Sequence, residues 1–303
     1  MIAPLYRSAT LTALALAVFS ASCGDDESLG APDAKSCTRG SLSVDRTVEG
    51  KVDAESCVLW DDYNYDLYPA ESWTFQTSAN KAYIVRLVPI EDDEAVNNFN
   101  GEMEVYARND EGDAYYATGY WDTYGVANGN GGVSQELVFT SRKSERVSIR
   151  VNAYSAADTG AYELTVISCP MPHIAAGATS AAVEFNADCA LESEGVTPPT
   201  PVAFFNFDAN IDDDIDVTAT RTAGTSTMRF RVRGPDLDFG CYTASCTSIS
   251  SATGVGPLTL SPNFDRSGNF TVAVYQATVG TLTATVGVVL NPPPAAPARG
   301  ASR

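Results

Sequence analysis

Apolar and polar residues alternate with a period of two through much of this chain. The alternation runs through Ser72–Thr77, Tyr83–Val88, Arg146–Val151 and Ala161–Val166, and again through Ala203–Phe207, Met228–Arg233 and Asn269–Val274. A strand turns successive side chains to opposite faces, so each segment reads as a strand with one face buried. Turn-forming clusters stand between them, among them Asn109–Gly112, Asn128–Gly132 and Asp265–Gly268. No segment carries a capped apolar stripe at helical spacing. Many short strands separated by Gly, Asn and Asp turns predict an all-β chain built as antiparallel sandwiches.

The pattern occurs twice. Cys37 and Cys57 are 20 residues apart, as are Cys169 and Cys189, and the two pairs are offset by 132. The same offset carries Leu59 onto Leu191, Pro69 onto Pro201, Trp73 onto Phe205, Phe75 onto Phe207 and Val85 onto Val217. Further on the offset falls to about 120, matching Val147–Tyr154 with Phe270–Tyr275 and Gly160–Val166 with Gly280–Val286. The expectation is two tandem, jelly-roll-like β-sandwich domains, 37–168 and 169–290, the second shorter in its middle.

The ends break the pattern. Arg7 precedes the apolar run Thr10–Phe19, and Ser20, Ala21 and Ser22 lead to Cys23. A positive start, a short apolar core and small residues before a cut describe an export signal over 1–22. Small residues directly before a cysteine resemble the bacterial lipobox, although Ser20 stands where that motif usually has Leu. Cys23 is thus the candidate lipidation site, with ordinary cleavage and a free thiol as the alternative. Lipidation leaves six of the seven cysteines, an even number that can pair in an oxidising compartment. Residues 23–36 read as a flexible tether and 291–303, rich in Pro and Ala, as a disordered tail.

Both copies resemble the bacterial pre-peptidase C-terminal domain, a small β-sandwich appended to many secreted proteases and surface proteins. The resemblance rests on Val48–Val52, Trp73–Phe75, Ala79–Val85, Val105–Ala107 and the closing Asp158–Val166, with weaker matches at Phe205–Phe207 and Gly268–Val272. It covers most of 40–168 and about half of 170–290. It implies a sandwich with no catalytic residues, associated with processing, secretion or targeting of attached enzymes.

Composition narrows the chemistry. The net charge is −19 with 38 acids against 19 Lys and Arg, which argues against nucleic acid as a partner. A single histidine, His173, leaves little for His-based catalysis, and its place beside Pro172 at the start of the second copy reads as an inter-domain surface residue. No nucleophile elbow, phosphate loop or dinucleotide fingerprint occurs. The expectation is a non-enzyme.

The repeat selects the disulfides Cys37–Cys57 and Cys169–Cys189, leaving Cys241–Cys246 to close a small loop in the second copy. Asp208, Asn210, Asp212 and Asp214 offer hard oxygen ligands suited to Ca²⁺, without the ordered spacing and glycine of an EF-hand; a solvated acidic turn is the plainer account. Tyr116, Tyr120, Trp121, Asp122 and Tyr124 combine rings with polar groups in a Gly-rich stretch, a composition suited to glycan or peptide binding. The alternative is that these rings fill the core and rim. Arg229, Arg231 and Arg233 share one strand face, either an anion or docking row or a solvated face. Together these features point to an exported lipoprotein held by a lipid anchor at the outer membrane or cell surface, binding glycan, peptide or another envelope protein. The competing reading is an accessory module supporting a separately encoded secreted enzyme.

Overall fold

The computed structural model describes residues 37–53, 55–61, 66–90, 99, 101–108, 114–117, 126–127, 133–141, 143–153, 159–175, 177, 180–191, 199–210, 213–233, 250–262 and 267–291. Their regular structure is strand throughout. The first half contains β1 (Thr38–Leu42), β2 (Val48–Val52), β3 (Cys57–Asp61), β4 (Asp66–Gln76), β5 (Lys81–Pro89), β6 (Gly101–Arg108), β7 (Ala114–Ala117), β8 (Val126–Ala127), β9 (Val133–Ser141), β10 (Arg146–Ala153) and β11 (Gly160–Pro170). The second half contains β12 (Ala181–Val183), β13 (Ala190–Leu191), β14 (Thr200–Ala209), β15 (Ile215–Gly224), β16 (Met228–Arg233), β17 (Ser250–Gly254), β18 (Leu258–Leu260), β19 (Gly268–Gln276) and β20 (Leu282–Leu290).

These strands form four sheets in two sandwiches. Sheet one is ordered β1-β4-β10-β6-β7, with β3 also on β4, and sheet two β2-β11-β5-β9-β8. Sheet three is β13-β14-β19-β16-β17 and sheet four β12-β20-β15-β18. The second pair repeats the order of the first, except that no strand among the described residues matches β1 or β8. The alternation explains the packing. Trp73, Phe75, Tyr83, Val85, Leu87, Ile149, Leu164 and Val166 face inward in the first core, where Phe75 meets Tyr83 edge-on at 5.0 Å and Tyr83 stacks on Phe139 at 5.1 Å. Phe205, Phe207, Val217, Phe230, Val272 and Val286 fill the second, with Phe207 stacked on Phe270 at 5.6 Å.

One feature departs from a purely antiparallel expectation. β1 runs parallel to the second half of β4, from Ser72 to Phe75, while β3 pairs antiparallel with its first half, Cys57 opposite Ala70. The two short strands therefore share one edge of β4, and the Cys37–Cys57 disulfide joins them where they meet, with Cα atoms 5.5 Å apart. The second copy repeats the device. His173 bridges Asn206 in parallel, β13 pairs with the start of β14, and Cys169 bonds Cys189 between them. Both disulfides predicted by the repeat are thus present, each tying two half-strands to a shared edge. Such bonds form in oxidising compartments, which points to export.

Cys169 lies within β11, the last strand of the first sandwich, yet its bond belongs to the second. The chain therefore passes from one sandwich to the other without a linker. A third apolar cluster forms there. Ala82, Ile84, Val138 and Ile167, on the outward face of sheet two, pack with Val202, Phe204, Ala273 and Tyr275 on the outward face of sheet three. By contrast, the outward face of sheet four carries Asp216, Thr218 and Thr220 from β15 and Thr283 and Thr285 from β20. This face presents hydroxyls and a carboxylate, with Val289 the exposed apolar residue beside Asp216.

Candidate binding cleft between the sandwiches

The junction leaves a cleft of about 850 Å³, within the range of small-ligand and peptide sites. Asp45, Arg86 and Ile167 line it from the first sandwich, and Asp188, Pro201 and Gln276 from the second. Arg86 stands on the outward face of β5, where Ile84 two residues earlier has already joined the apolar contact. Its Nε donates to Oε1 of the nearly buried Glu136 at 2.6 Å, and an Nη donates to the backbone carbonyl of Ala190 across the junction. Arg86 is thereby neutralised and clamps the two sandwiches together.

Asp45 is held differently. Its backbone takes φ of 58°, a left-handed conformation that Asp tolerates better than most residues. Its amide donates to the carbonyl of Val166 at 2.8 Å, which fixes the turn against β11. Asp188 sits in the exposed turn ahead of Cys189, its amide bonded to Oδ1 of Asn186 at 3.1 Å. With Arg86 already paired, two exposed carboxylates leave the cleft negative. The described residues lining it are aliphatic, hydroxyl, amide or charged, and none is aromatic. Val279 stands at its rim with 73% of its surface exposed.

Nothing in the sequence singled this cleft out. Asp45 and Asp188 belong to ordinary turn sequences. Arg86 is one charge in a mostly apolar strand, and that misfit is the nearest thing to a signal.

The residues singled out from sequence are distributed as follows. Tyr116 belongs to β7, opposite Tyr106 on β6, while Tyr120, Trp121, Asp122 and Tyr124 lie outside the described residues. So do Cys23, Asp212, Cys241 and Cys246, the signal and tether over 1–36, and the tail beyond Asn291. Of the candidate Ca²⁺ ligands, Asp208 is the penultimate residue of β14 and accepts from Asn269, Asn210 bonds to Asp213, and Asp214 accepts from Asn291. Each is committed to a separate hydrogen bond, and no cluster of three or more His, Cys, Asp or Glu with metal-site geometry occurs among the described residues. Asp216 belongs to the same acidic stretch. A hydrogen bond from Ser261, and then one from Asn291, hold its carboxyl below the usual carboxylate range.

The arginine row proves to be more than a solvated face. Arg229 and Arg231 lie over the Tyr275 ring at 5.5 and 5.7 Å from its centroid, a cation–π arrangement. Arg233 is buried. The row therefore flanks the inter-sandwich contact, since Tyr275 is part of it.

The first sandwich has a buried polar site of its own. Tyr162 donates to Oε2 of Glu71 at 2.8 Å, Trp73 Nε1 donates to the Tyr162 oxygen at 2.9 Å, and Arg39 Nε meets Oε1 of Glu71 at 2.5 Å. Burial, reinforced by the Glu71 charge, pushes the Tyr162 phenol well above its ordinary value. Glu71 is buried but fully engaged, so this relay anchors the core.

No family model matches the chain, and no curated protein matches it. Among solved structures, the pre-peptidase C-terminal domain of collagenase from Bacillus anthracis is 20% identical, with a TM-score of 0.27 over 42% of this chain and 92% of that one. The N-terminal CBM22-1–CBM22-2 tandem of Paenibacillus barcinonensis Xyn10C is 10% identical, with a TM-score of 0.25 over 81% of this chain and 87% of that one. The extracellular domain of ANXUR2 from Arabidopsis thaliana is 7% identical, with a TM-score of 0.23 over 82% and 89%. At these scores the likenesses carry no argument about function.

Proposed function

We propose that the chain is an exported, non-catalytic binding protein that takes an extended peptide segment of another envelope protein in the cleft between its sandwiches. The observation that carries this reading is the cleft itself, walled by both copies and bridged by the Arg86 clamp. Hydroxyl, amide and carboxylate groups beside Pro and Val surfaces suit a peptide's alternating polar backbone and side chains. A ring for stacking a sugar is not among the described lining residues. A lipid on Cys23 would hold the molecule at the membrane, with residues 24–36 as the tether.

The test is a pulldown from envelope extracts with the full chain and with Ala277→Trp, which fills the cleft, alongside a glycan array. A partner captured by the parent chain and lost by Ala277→Trp is the expected result. Capture that survives the substitution, or a glycan signal without a protein partner, rejects the cleft as the peptide site. No capture at all favours the accessory-module alternative.

A further inference from the structure

The lone histidine sits in an arrangement that the cleft does not use. His173 bridges Asn206 of β14, and its Nδ1 lies 2.8 Å from the Asn206 side-chain oxygen. The Asn206 amide nitrogen donates to the carbonyl of Met171 at 2.8 Å, and Asn269 donates to the Asn206 oxygen at 3.1 Å. That oxygen can only accept, so Nδ1 carries a proton, and Nε2 is the ring nitrogen through which the imidazole can bind a cation. Nε2 lies 3.8 Å from Oδ2 of Asp208, whose other oxygen accepts from Asn269 at 2.9 Å. A separation of 3.8 Å is too long for a hydrogen bond. Two ligands on one ion at about 2.0–2.2 Å each are about 3–4 Å apart.

We propose that His173 Nε2 and Asp208 Oδ2 form a two-point site for a divalent transition cation, Zn²⁺, Cu²⁺ or Ni²⁺, with water completing the coordination. Imidazole with carboxylate selects this class over Ca²⁺, which takes oxygen ligands alone. Both side chains are open to solvent, 43% and 73% exposed, so an ion and its waters can reach them. Both are also oriented from behind by asparagines that are themselves buried, Asn206 at 1% and Asn269 at 5%. Amide partners of this kind fix the tautomer and aim of a metal-binding histidine.

The repeat supplies an internal control. In the first sandwich the same ladder positions are Ser41 opposite Thr74 and Arg146 opposite Gln76. In the second they are His173 opposite Asn206 and Asn269 opposite Asp208. Ser41 and Thr74 pair their hydroxyls at 2.9 Å, and the Thr74 hydroxyl also donates to the carbonyl of Gly40 at 3.2 Å. The fold therefore forms without the His–Asp pair, and the four residues that build it occur in one copy alone.

The experiment titrates the full chain with Zn²⁺ by calorimetry and records Cu²⁺ electron paramagnetic resonance in chelator-free buffer. Because His173 is the chain's only histidine, coupling to one imidazole nitrogen assigns the site directly. His173→Gln is expected to remove that coupling and one equivalent of Zn²⁺. Asp208→Asn, close in shape, is expected to weaken binding about 10–100-fold. Both residues are exposed, and circular dichroism verifies that each variant is folded. Absence of imidazole coupling in the parent chain, or Zn²⁺ binding unchanged in His173→Gln, overturns the proposal.

Discussion

The Tyr162 hydroxyl donates a hydrogen bond to Glu71 inside the first sandwich, 2.8 Å away, and accepts one from Trp73 Nε1 at 2.9 Å. The closing Gly-Ala-Tyr-Glu-Leu motif thus places a polar hinge inside an apolar core. Tyr162→Phe leaves Glu71 short of a donor and Trp73 Nε1 short of an acceptor. The expected cost is about 1–3 kcal/mol, read as a lower denaturant midpoint.

The same phenol makes stability depend on alkaline pH. Its folded value is raised by burial and by the Glu71 charge, so the folded state holds the proton that the unfolded chain releases near pH 10. Its contribution is complete below about pH 10 and is lost as pH rises toward the folded value. Stability measured from pH 9 to 11.5 is expected to fall more steeply in the parent chain than in Tyr162→Phe. Equal slopes would show that Tyr162 is not the group responsible.

Gly50 admits the ring. A Cβ at this position would lie 2.3 Å from Tyr162 Cζ. Gly50→Ala is therefore expected to destabilise by about 1–3 kcal/mol through overpacking. In Gly50→Ala/Tyr162→Phe much of the glycine effect should remain, because the ring itself is still in the way. A double-mutant cycle reads the coupling.

Phe204 joins the sandwiches. It is buried in the inter-sandwich cluster, and Phe204→Ala is expected to cost about 3–5 kcal/mol. The sharper readout is cooperativity. Calorimetry of the parent chain is expected to give one transition, and of the variant two separated ones. A single transition shifted as a whole would mean that the interface does not couple the units.

The Cys37–Cys57 bond closes a 20-residue separation. Its replacement by serines is expected to cost about 3 kcal/mol through the unfolded chain's entropy. Urea titration of the double variant against the parent chain measures it.

Several of these features were legible before any fold was known. Alternation at Trp73/Phe75 and Phe205/Phe207 marks strands, because a strand's side-chain period of two is local. The cysteine spacing marked both disulfides, because it recurs with the offset of the surrounding aromatics. The parallel seating of β1 on β4 was not legible. It depends on a pairing more than 30 residues away, which no local pattern encodes. The described Ca²⁺ candidates stand close together in sequence, and Asp208, Asn210 and Asp214 each hydrogen-bond to a different partner.

Repetition by itself determined the strands, the inward faces and the disulfides, since each follows from periodicity along one chain. Only the tertiary structure decided the fate of the outward faces. The rung Ser72, Arg150 and Glu104 in sheet one is the counterpart of Phe204, Ala273 and Arg231 in sheet three. The ladder is the same, yet one rung is polar and the other meets Ile84 and Ile167 across the junction. An outward position carries no period to announce its neighbour. What it touches is set by how two sheets dock, and that docking created both the cleft and its arginine clamp.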